Sequence, residues 1–136
     1  MRILIICSKA FYKDIEQIKG KLEEMGHIVE LPNSYYEQDA EAKSWALGKK
    51  AHSEFKERMF RMSAERIATM DAVLTLNFDK NGKKNYIGGA TFLEIYEAFM
   101  KNKKIYLYNE IPEGMLFDEI SGFSPNVING DLSLVK

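Results

Sequence analysis

A paired-glycine turn that runs into a predicted helix carries the clearest chemical signal in this sequence, over residues 85–94. Gly88 and Gly89 precede the helix, where glycines let a ligand approach the backbone and free amides favour a phosphate or a carboxylate. Glu94 lies in the first turns of the same helix. A carboxylate held there can attack an anomeric carbon or stabilise a developing oxocarbenium ion. The segment therefore predicts a site for sugar chemistry with Glu94 at its centre.

The same residues also permit two interpretations that involve no ligand. Gly88 and Gly89 can form a tight turn between a strand and a helix and nothing more. The spacing of Thr91 and Glu94 fits the Ser/Thr-x-x-Glu capping box, in which the glutamate only caps the helix start. The sequence leaves these alternatives open beside the catalytic one.

A second polar segment follows the first predicted strand. Ser8, Lys9 and Tyr12 stand where a hydroxyl and an ammonium can hold a phosphate at the amino end of the next helix. The alternative is an ordinary solvated loop. Cys7 ends a strand that should be buried, so we expect it to be a small core residue rather than a nucleophile.

Several common functional classes lack their signatures in this chain. There is no Gly-x-Gly-x-x-Gly dinucleotide fingerprint, no Gly-x-x-x-x-Gly-Lys-Ser/Thr phosphate loop and no Ser/His/Asp hydrolase elbow. His27 and His52 stand alone, with no cysteine or carboxylate at metal-ligand spacing. We therefore expect neither a metal ion nor a cofactor.

Composition narrows the remaining possibilities. The chain has 136 residues, 46% of them hydrophobic, which is the size of a single domain, 1–136, with a real core. A net charge of −1 provides no global basic field for nucleic acid or an anionic membrane. The single cysteine and an opening segment without a signal-peptide cleavage site predict a cytoplasmic protein. No apolar stretch approaches the ~18 residues that span a bilayer.

The hydrophobic pattern alternates between short apolar runs and segments with helical spacing. The apolar runs predict five strands, at residues 2–7, 27–31, 71–77, 104–108 and around 127–128. The helical segments cover 11–25, 40–70 with a break near Gly48, the stretch from 93 to 99, and about 114–120. The inward positions predicted for the second helical segment are Trp45, Phe55, Met59, Met62 and Ile67.

Strands that alternate with helices predict right-handed βαβ units, and hence a doubly wound parallel α/β sheet with helices on both faces. In the common strand order 2-1-3-4-5, the order reverses between strands one and three. Ligands bind beyond the carboxyl ends of the strands at such a reversal. The loops at 8–12 and 77–91 flank that point, so the two polar segments are expected to meet there.

These features together are similar to those of a known family. A short first strand, a serine-containing loop, a third strand ending near Asn77 and a glycine turn leading to Thr91 and Glu94 resemble the nucleoside 2-deoxyribosyltransferase-like family, which includes the 2'-deoxynucleoside 5'-phosphate N-hydrolases. The resemblance extends over essentially the whole chain and is most specific from 71 to 108. It implies a flavodoxin-like, Rossmann-like fold.

The resemblance also implies roles for individual residues. Glu94 matches the glutamate that attacks C1' of a deoxyribosyl group and releases the base, after which water or a second base resolves the glycosyl-enzyme intermediate. Ser8 matches a serine that binds the 5'-phosphate, with Lys9 or Tyr12 assisting. Asn126 is similar to the segment by which a neighbouring subunit completes the pocket, which implies a homodimer or a higher homo-oligomer.

Two carboxylates of the family have no counterpart here. Gly88 stands where the family has aspartate, and Ser63 falls near a second carboxylate position. Asn77, Asp79 and Asn85 are the substitutes expected to orient the sugar or protonate the base. The stretch 85–89 looks like that of a subgroup with its own ligand. The full set of predicted substrate-binding residues is Ser8, Lys9, Tyr12, Asn77, Asp79, Asn85, Tyr86, Gly88, Gly89, Thr91 and Asn126.

The leading hypothesis is an N-glycosidic-bond hydrolase or transferase that acts on a (deoxy)nucleoside or a nucleoside 5'-monophosphate, with Glu94 as nucleophile. The alternative is a non-catalytic nucleotide-binding module on the same fold, which Gly88 in place of the aspartate favours. A phosphoacceptor receiver domain fits poorly, because the third strand ends in Asn77 rather than aspartate. The expected partner is a small nucleoside or nucleotide, with no nucleic acid and no membrane.

Overall fold

The computed structural model describes residues 1–136 and contains a single five-stranded sheet. The strands are β1 (Arg2–Cys7), β2 (Ile28–Glu30), β3 (Ala72–Leu76), β4 (Lys104–Leu107) and β5 (Asn126–Val127). Their order is β2-β1-β3-β4-β5, and every neighbouring pair is parallel. The predicted doubly wound, flavodoxin-like arrangement is confirmed.

Five α-helices connect and cover the strands. They are α1 (Ile15–Glu24), α2 (Ala40–Ala46), α3 (Lys49–Ala68), α4 (Gly89–Met100) and α5 (Phe117–Gly122). A 3-10 turn over Lys9–Asp14 precedes α1, so the first α-helix begins later than its apolar spacing predicted. Gly48 separates α2 from α3 with a φ of 109°, which side chains rarely adopt, and this confirms the predicted break. None of these helices combines the length and the apolar character that a membrane crossing demands.

Alternate residues of the central strands enter two separate cores. On one face of the sheet, Ile3, Ile5 and Cys7 of β1 pack with α1 and with the carboxyl-terminal segment. On the other face, Leu4 and Ile6 pack with residues of α3, α4 and α5. Because both faces of β1 and β3 are covered, these strands are continuous apolar runs, as a buried parallel sheet requires.

The predicted inward positions of α2 and α3 are only partly confirmed. Phe55 and Ile67 are buried. Trp45 and Met62 are exposed by 55% and 38%, so their predicted burial is wrong. Trp45 instead stacks on His52, with ring centroids 3.7 Å apart, and this contact joins α2 to α3 at the surface.

The carboxyl ends of β1 and β3 lie side by side, with Cys7 paired to Leu76. The 3-10 turn leaves the sheet from this edge, and the segment that leads to α4 leaves from it as well. Helices α3 and α4 pack against each other on one face of the sheet. The fold therefore gathers four chain segments around the point at which the strand order reverses.

Candidate functional site

A pocket with a volume of about 340 Å³ opens at this carboxyl edge. Its walls come from the residues after β1, the residues after β2, one side of α3, the loop before α4 and the first two turns of α4. This volume is typical of sites for small molecules. The predicted site residues that the structure brings together here are Glu94, Ser8, Lys9, Tyr12, Tyr86, Gly88, Gly89 and Thr91.

Glu94 lies in the second turn of α4 and lines the pocket. The helix begins at Gly89, with Gly88 as its N-cap and no side-chain capping bond. Thr91 is already inside the helix and is buried. The capping-box alternative is therefore wrong, because the box needs Thr91 at the N-cap and Glu94 three residues later, whereas Gly88 is the N-cap and Thr91 and Glu94 are the third and sixth residues of the helix.

The Glu94 carboxylate is partly buried and accepts one hydrogen bond from the protein. The Ser63 hydroxyl on α3 donates to its Oε2 over 3.0 Å. Burial raises the pKa of Glu94 to about 7, while the Ser63 hydrogen bond and the positive charges of Arg66 and Lys56 oppose that rise. A carboxyl group with this pKa changes its protonation near neutral pH, which is typical of groups that take part in catalysis.

A chain of polar side chains stands behind Ser63. Asn33, just after β2, donates from Nδ2 to the Ser63 Oγ over 2.8 Å. Arg66 donates from Nη1 to the Asn33 Oδ1 over 2.7 Å, and from Nη2 to the Leu31 carbonyl over 2.7 Å. These bonds connect the end of β2 to α3 and, through Ser63, to the carboxylate of Glu94.

Another part of the pocket wall is cationic. Lys80 donates from Nζ to the Ser8 Oγ over 3.1 Å, and its ammonium lies 4.7 Å from the centroid of the Tyr86 ring. Lys9 and Lys56 also line the pocket. None of these three lysines forms an ion pair with a carboxylate. Hydroxyl and ammonium groups without an anionic partner are suited to a phosphate.

Apolar side chains complete the wall. Phe55, Met59 and Phe60 of α3 line the pocket together with Tyr12 and Cys7. Aromatic and thioether groups of this kind can pack against a flat heterocycle. Burial is the main factor that raises the pKa of Cys7 to about 12, and it also raises the pKa of Tyr12. The prediction that Cys7 is a buried core residue is confirmed.

Tyr86 occupies the space next to the position at which the resembling family has aspartate. A Cβ atom on Gly88 would lie 3.1 Å from the Tyr86 hydroxyl oxygen. The backbone of Gly88 has a φ of −83°, which any residue can adopt, so the conflict is one of space alone. A side chain at residue 88 therefore requires Tyr86 to move. Tyr86 is the polar group that this chain presents where the resemblance implies a carboxylate.

Asn77 does not line the pocket. Its fully buried amide group donates to the carbonyls of Asn109 and Glu110 over 3.1 and 2.9 Å. Its Oδ1 accepts from the backbone amide of Asn109 over 2.8 Å. Both amide hydrogens are thus engaged within the protein, and the side chain ties the end of β3 to the residues after β4.

Asp79, Asn85 and Asn126 do not line the pocket either. Asp79 accepts from the backbone amide of Asn85 over 3.0 Å, and Asn85 adopts a φ of 54°, so this pair shapes the loop before α4. Asn126 in β5 donates to the Ile105 carbonyl over 3.2 Å. The role in a neighbouring subunit that the resemblance implies for Asn126 stays a prediction.

Three residues belong to the site or to its support although the sequence did not single them out, namely Asn33, Arg66 and Lys80. Asn33 follows β2 at the carboxyl edge, and the rule that drew attention to the ends of β1 and β3 applies to β2 equally. Arg66 shares one face of α3 with Met59 and Ser63, because the three residues follow one another at helical spacings of four and three, and this spacing was the signal that could have identified it. For Lys80, the only signal in the sequence is its position in the loop at 77–91, which was predicted to flank the site.

The site thus combines an ionisable carboxylate, a cationic subsite and an apolar wall. Glu41 on α2 is the other carboxylate that lines the pocket. No group of three or more histidine, cysteine, aspartate or glutamate side chains lies close enough together to hold a metal ion. The arrangement is able to bind a small molecule that has an anionic end and an aromatic end, and to hold Glu94 against it.

No protein-family model, no curated protein and no solved structure matches this chain. The resemblance to the nucleoside 2-deoxyribosyltransferase-like family therefore rests on the sequence features given above. The function of the protein must be argued from the chemistry of its pocket.

Proposed function

We propose that this protein cleaves the N-glycosidic bond of a nucleoside or a nucleoside 5'-monophosphate, with Glu94 as the nucleophile. One observation carries the proposal: a single pocket holds a glutamate whose pKa is raised to about 7, the hydroxyl of Ser8 beside the ammonium of Lys80, and the apolar wall of α3. A nucleotide has the three matching parts, which are a sugar with an electrophilic C1', a phosphate and a flat base.

The reaction follows the two-step logic of retaining glycosidases. The ionised carboxylate of Glu94 attacks C1', so that a bond forms between C1' and a carboxylate oxygen. The bond between C1' and the base nitrogen breaks, and its electron pair leaves with the base, which takes up a proton. Water then attacks C1', gives up one proton, which balances the proton taken up by the base, and releases Glu94 as a carboxylate. The other product is the free sugar, or the sugar 5-phosphate when the substrate is a nucleotide. A second base in place of water gives transfer instead of hydrolysis.

The protonation state of Glu94 sets the pH dependence of the first step. Only the ionised carboxylate is a nucleophile, and with a pKa of about 7 roughly half of the molecules carry it at neutral pH. The value of kcat/KM is therefore expected to fall about tenfold per pH unit below that point. Above it, the ionised form predominates and this limb of the profile is flat.

A non-catalytic nucleotide-binding module is the second candidate function. It is favoured by Gly88 and by the position of Tyr86, because the pocket has no carboxylate at the place where the resemblance implies one. Such a module uses the same cationic subsite and the same apolar wall. It differs in that ionisation of Glu94 has no chemical consequence for the ligand.

The decisive experiment measures the release of free base by chromatography. The substrates are a mixed panel of ribo- and deoxyribonucleosides, their 5'-monophosphates and NAD. The parent protein is compared with Glu94→Gln, which keeps the side-chain size, and with Glu97→Gln, which makes the same change further along α4. Glu97 pairs with Lys101 and does not line the pocket. We expect base release by the parent and by Glu97→Gln, and none by Glu94→Gln.

Thermal unfolding with the same panel separates the two functions. A ligand at ~100 times its Kd stabilises the folded state by about 2.7 kcal/mol, so binding is visible even without turnover. A shift in Tm without base release favours the binding module. Base release that is unchanged in Glu94→Gln overturns the glycosidase assignment, and the absence of both signals contradicts both functions.

The homodimer implied by the resemblance is also part of this proposal. The outer surface of α4 has four apolar side chains that are at least 43% exposed, and exposed apolar patches of this kind mark contact surfaces. They are Leu93, Tyr96, Phe99 and Met100. Sedimentation velocity is expected to give twice the 15.7 kDa mass of the chain, and a Tyr96→Glu variant is expected to give the single mass. A monomeric parent protein contradicts the dimer and leaves the reaction chemistry untouched.

A further inference from the structure

Three hydrogen bonds in series lead to the carboxylate of Glu94, and they join the end of β2, α3 and α4. We call Arg66, Asn33 and Ser63 the donor chain. Arg66 Nη1 donates to Asn33 Oδ1 over 2.7 Å, and Asn33 Nδ2 donates to Ser63 Oγ over 2.8 Å. Ser63 Oγ donates to Glu94 Oε2 over 3.0 Å. Each member is buried or partly buried, so the groups pair with one another rather than with bulk solvent.

The guanidinium of Arg66 determines how the Asn33 amide is oriented. Arginine has only hydrogen-bond donors, so the Asn33 atom that faces it must be the carbonyl oxygen. The amide nitrogen is then directed towards Ser63 and towards the Met59 carbonyl, which can only accept and lies 3.2 Å away. An acceptor on one side and a donor on the other thus select one of the two possible amide orientations.

The orientation of Asn33 determines in turn what the Ser63 hydroxyl can do. Its oxygen accepts from Asn33, so its single hydrogen is available for Glu94. A serine within a helix commonly donates instead to the carbonyl one turn earlier, which here belongs to Met59. Asn33 already donates to that carbonyl. The Ser63 hydroxyl donates to the Glu94 carboxylate and not to that carbonyl, and such a contact favours the ionised form.

We propose that the donor chain positions the Glu94 carboxylate and favours its ionised form for attack on C1'. Ser63 holds one carboxylate oxygen, Oε2, while Oε1 accepts no hydrogen bond from the protein and is free to form the new bond. The attack itself rests on the proposed function, whereas the effect on ionisation does not depend on any substrate. Arg66, Asn33 and Ser63 are thus positioning residues rather than catalytic ones.

Other charged and titratable groups also face Glu94. Lys56 and Arg66 of α3 stabilise its negative charge. Cys7 at the end of β1 and Tyr12 in the 3-10 turn have pKa values raised chiefly by burial, so both stay neutral while Glu94 titrates. The remaining charged or titratable groups of the pocket wall are Lys9, Glu41, Lys80 and Tyr86. The donor chain is therefore tested with neutral substitutions that leave all of these groups in place.

The test follows the side-chain carboxyl carbon of Glu94 by NMR in protein labelled with 13C-glutamate, with Glu94→Gln to identify the signal. Ser63→Ala removes the donor, Ser63→Thr restores a hydroxyl, and Asn33→Ala removes the group that orients it. We expect Ser63→Ala to raise the inflection of the Glu94 titration by about one pH unit, a tenfold change in the acid dissociation constant. Ser63→Thr is expected to restore the parent titration, and Asn33→Ala to raise the inflection by a smaller amount.

An inflection in Ser63→Ala or in Asn33→Ala that coincides with that of the parent overturns the proposal. The acid limb of the pH profile of kcat/KM is expected to move together with the NMR titration, and a purely structural role of Ser63 does not predict such a movement. A parent protein that releases no base, but whose variants show the expected titrations, contradicts the proposed function and supports the effect of the donor chain on ionisation.

Discussion

Glu94 couples the chemistry of the pocket to the stability of the fold. Its pKa in the folded protein is about 7, against a usual value of 4.5, and burial is the main cause. The unfolded chain therefore releases this proton at a lower pH than the folded protein does. Between pH 4.5 and about pH 7 the folded state binds more protons, so the free energy of unfolding falls as the pH rises. The stability that the folded protein gains by keeping Glu94 protonated is fully present below pH 4.5 and is lost as the pH rises through about 7.

The two pKa values determine the size of the effect. They differ by about 2.5, and each pKa unit corresponds to about 1.36 kcal/mol, so ionisation of Glu94 costs about 3 kcal/mol of stability. Domains are stable by only about 5–15 kcal/mol, which makes this a substantial fraction. A glutamine at the same position stays neutral and can still accept the Ser63 hydrogen bond through its carbonyl oxygen. We therefore expect Glu94→Gln to be more stable than the parent by about 3 kcal/mol at alkaline pH and equally stable at acid pH.

Urea unfolding followed by circular dichroism measures this difference at a series of pH values on both sides of neutrality. Subtracting the free energy of unfolding of the parent from that of the variant at each pH cancels the contributions of groups that titrate alike in both proteins. Glu97→Gln serves as the control for the loss of a carboxylate from α4. A stability difference between Glu94→Gln and the parent that stays constant over the whole pH range refutes the reasoning, because it shows that burial does not raise the pKa of Glu94.

Three further predictions concern the cationic subsite, the glycine turn and the core. Lys80→Met removes the ammonium beside Ser8 and is expected to weaken binding of nucleoside 5'-monophosphates about tenfold, with nucleosides unaffected, as measured by calorimetry. Gly88→Ala is expected to lower the free energy of unfolding of the parent by about 1 kcal/mol, because the Tyr86 hydroxyl oxygen lies 3.1 Å from the new Cβ. In a Tyr86→Phe background, which lacks that hydroxyl, the same change is expected to cost less, and equal losses in urea unfolding contradict the prediction. The buried hydroxyl of Thr75 has no hydrogen-bond partner, so Thr75→Val is expected to stabilise the protein by up to ~1 kcal/mol, and destabilisation in the same assay contradicts the prediction.

Local patterns were sufficient to predict the parallel sheet and the polar loops at the carboxyl ends of its strands. The apolar run of β1 is continuous because both of its faces are buried, and the break at Gly48 is visible because few residues other than glycine adopt its φ. The strand order then places Ser8 and Glu94 at one edge although they are far apart in the chain. That edge rule predicts which loops meet, but it does not predict which side chains of those loops enter the pocket.

Two asparagines at strand ends illustrate this limit. Asn77 follows β3 and Asn33 follows β2, so the edge rule treats them alike. The amide hydrogens of Asn77 bind the carbonyls of Asn109 and Glu110, whereas Asn33 lines the pocket and donates to Ser63. The difference arises from the backbone around each amide, which depends on how neighbouring elements pack.

The sequence by itself determined the strands, the helices and their alternation, because hydrophobic period and turn residues are local properties of the chain. The strand order 2-1-3-4-5 was predicted as the common order for this alternation, and the structure confirmed it. The sequence also placed Glu94 on the helix after β3, but left open whether this residue caps the helix. Only the tertiary structure decided that question. The contact with Ser63 and the burial that raises the pKa of Glu94 both depend on the packing of α3 against α4, and residues that are distant in the chain create that environment.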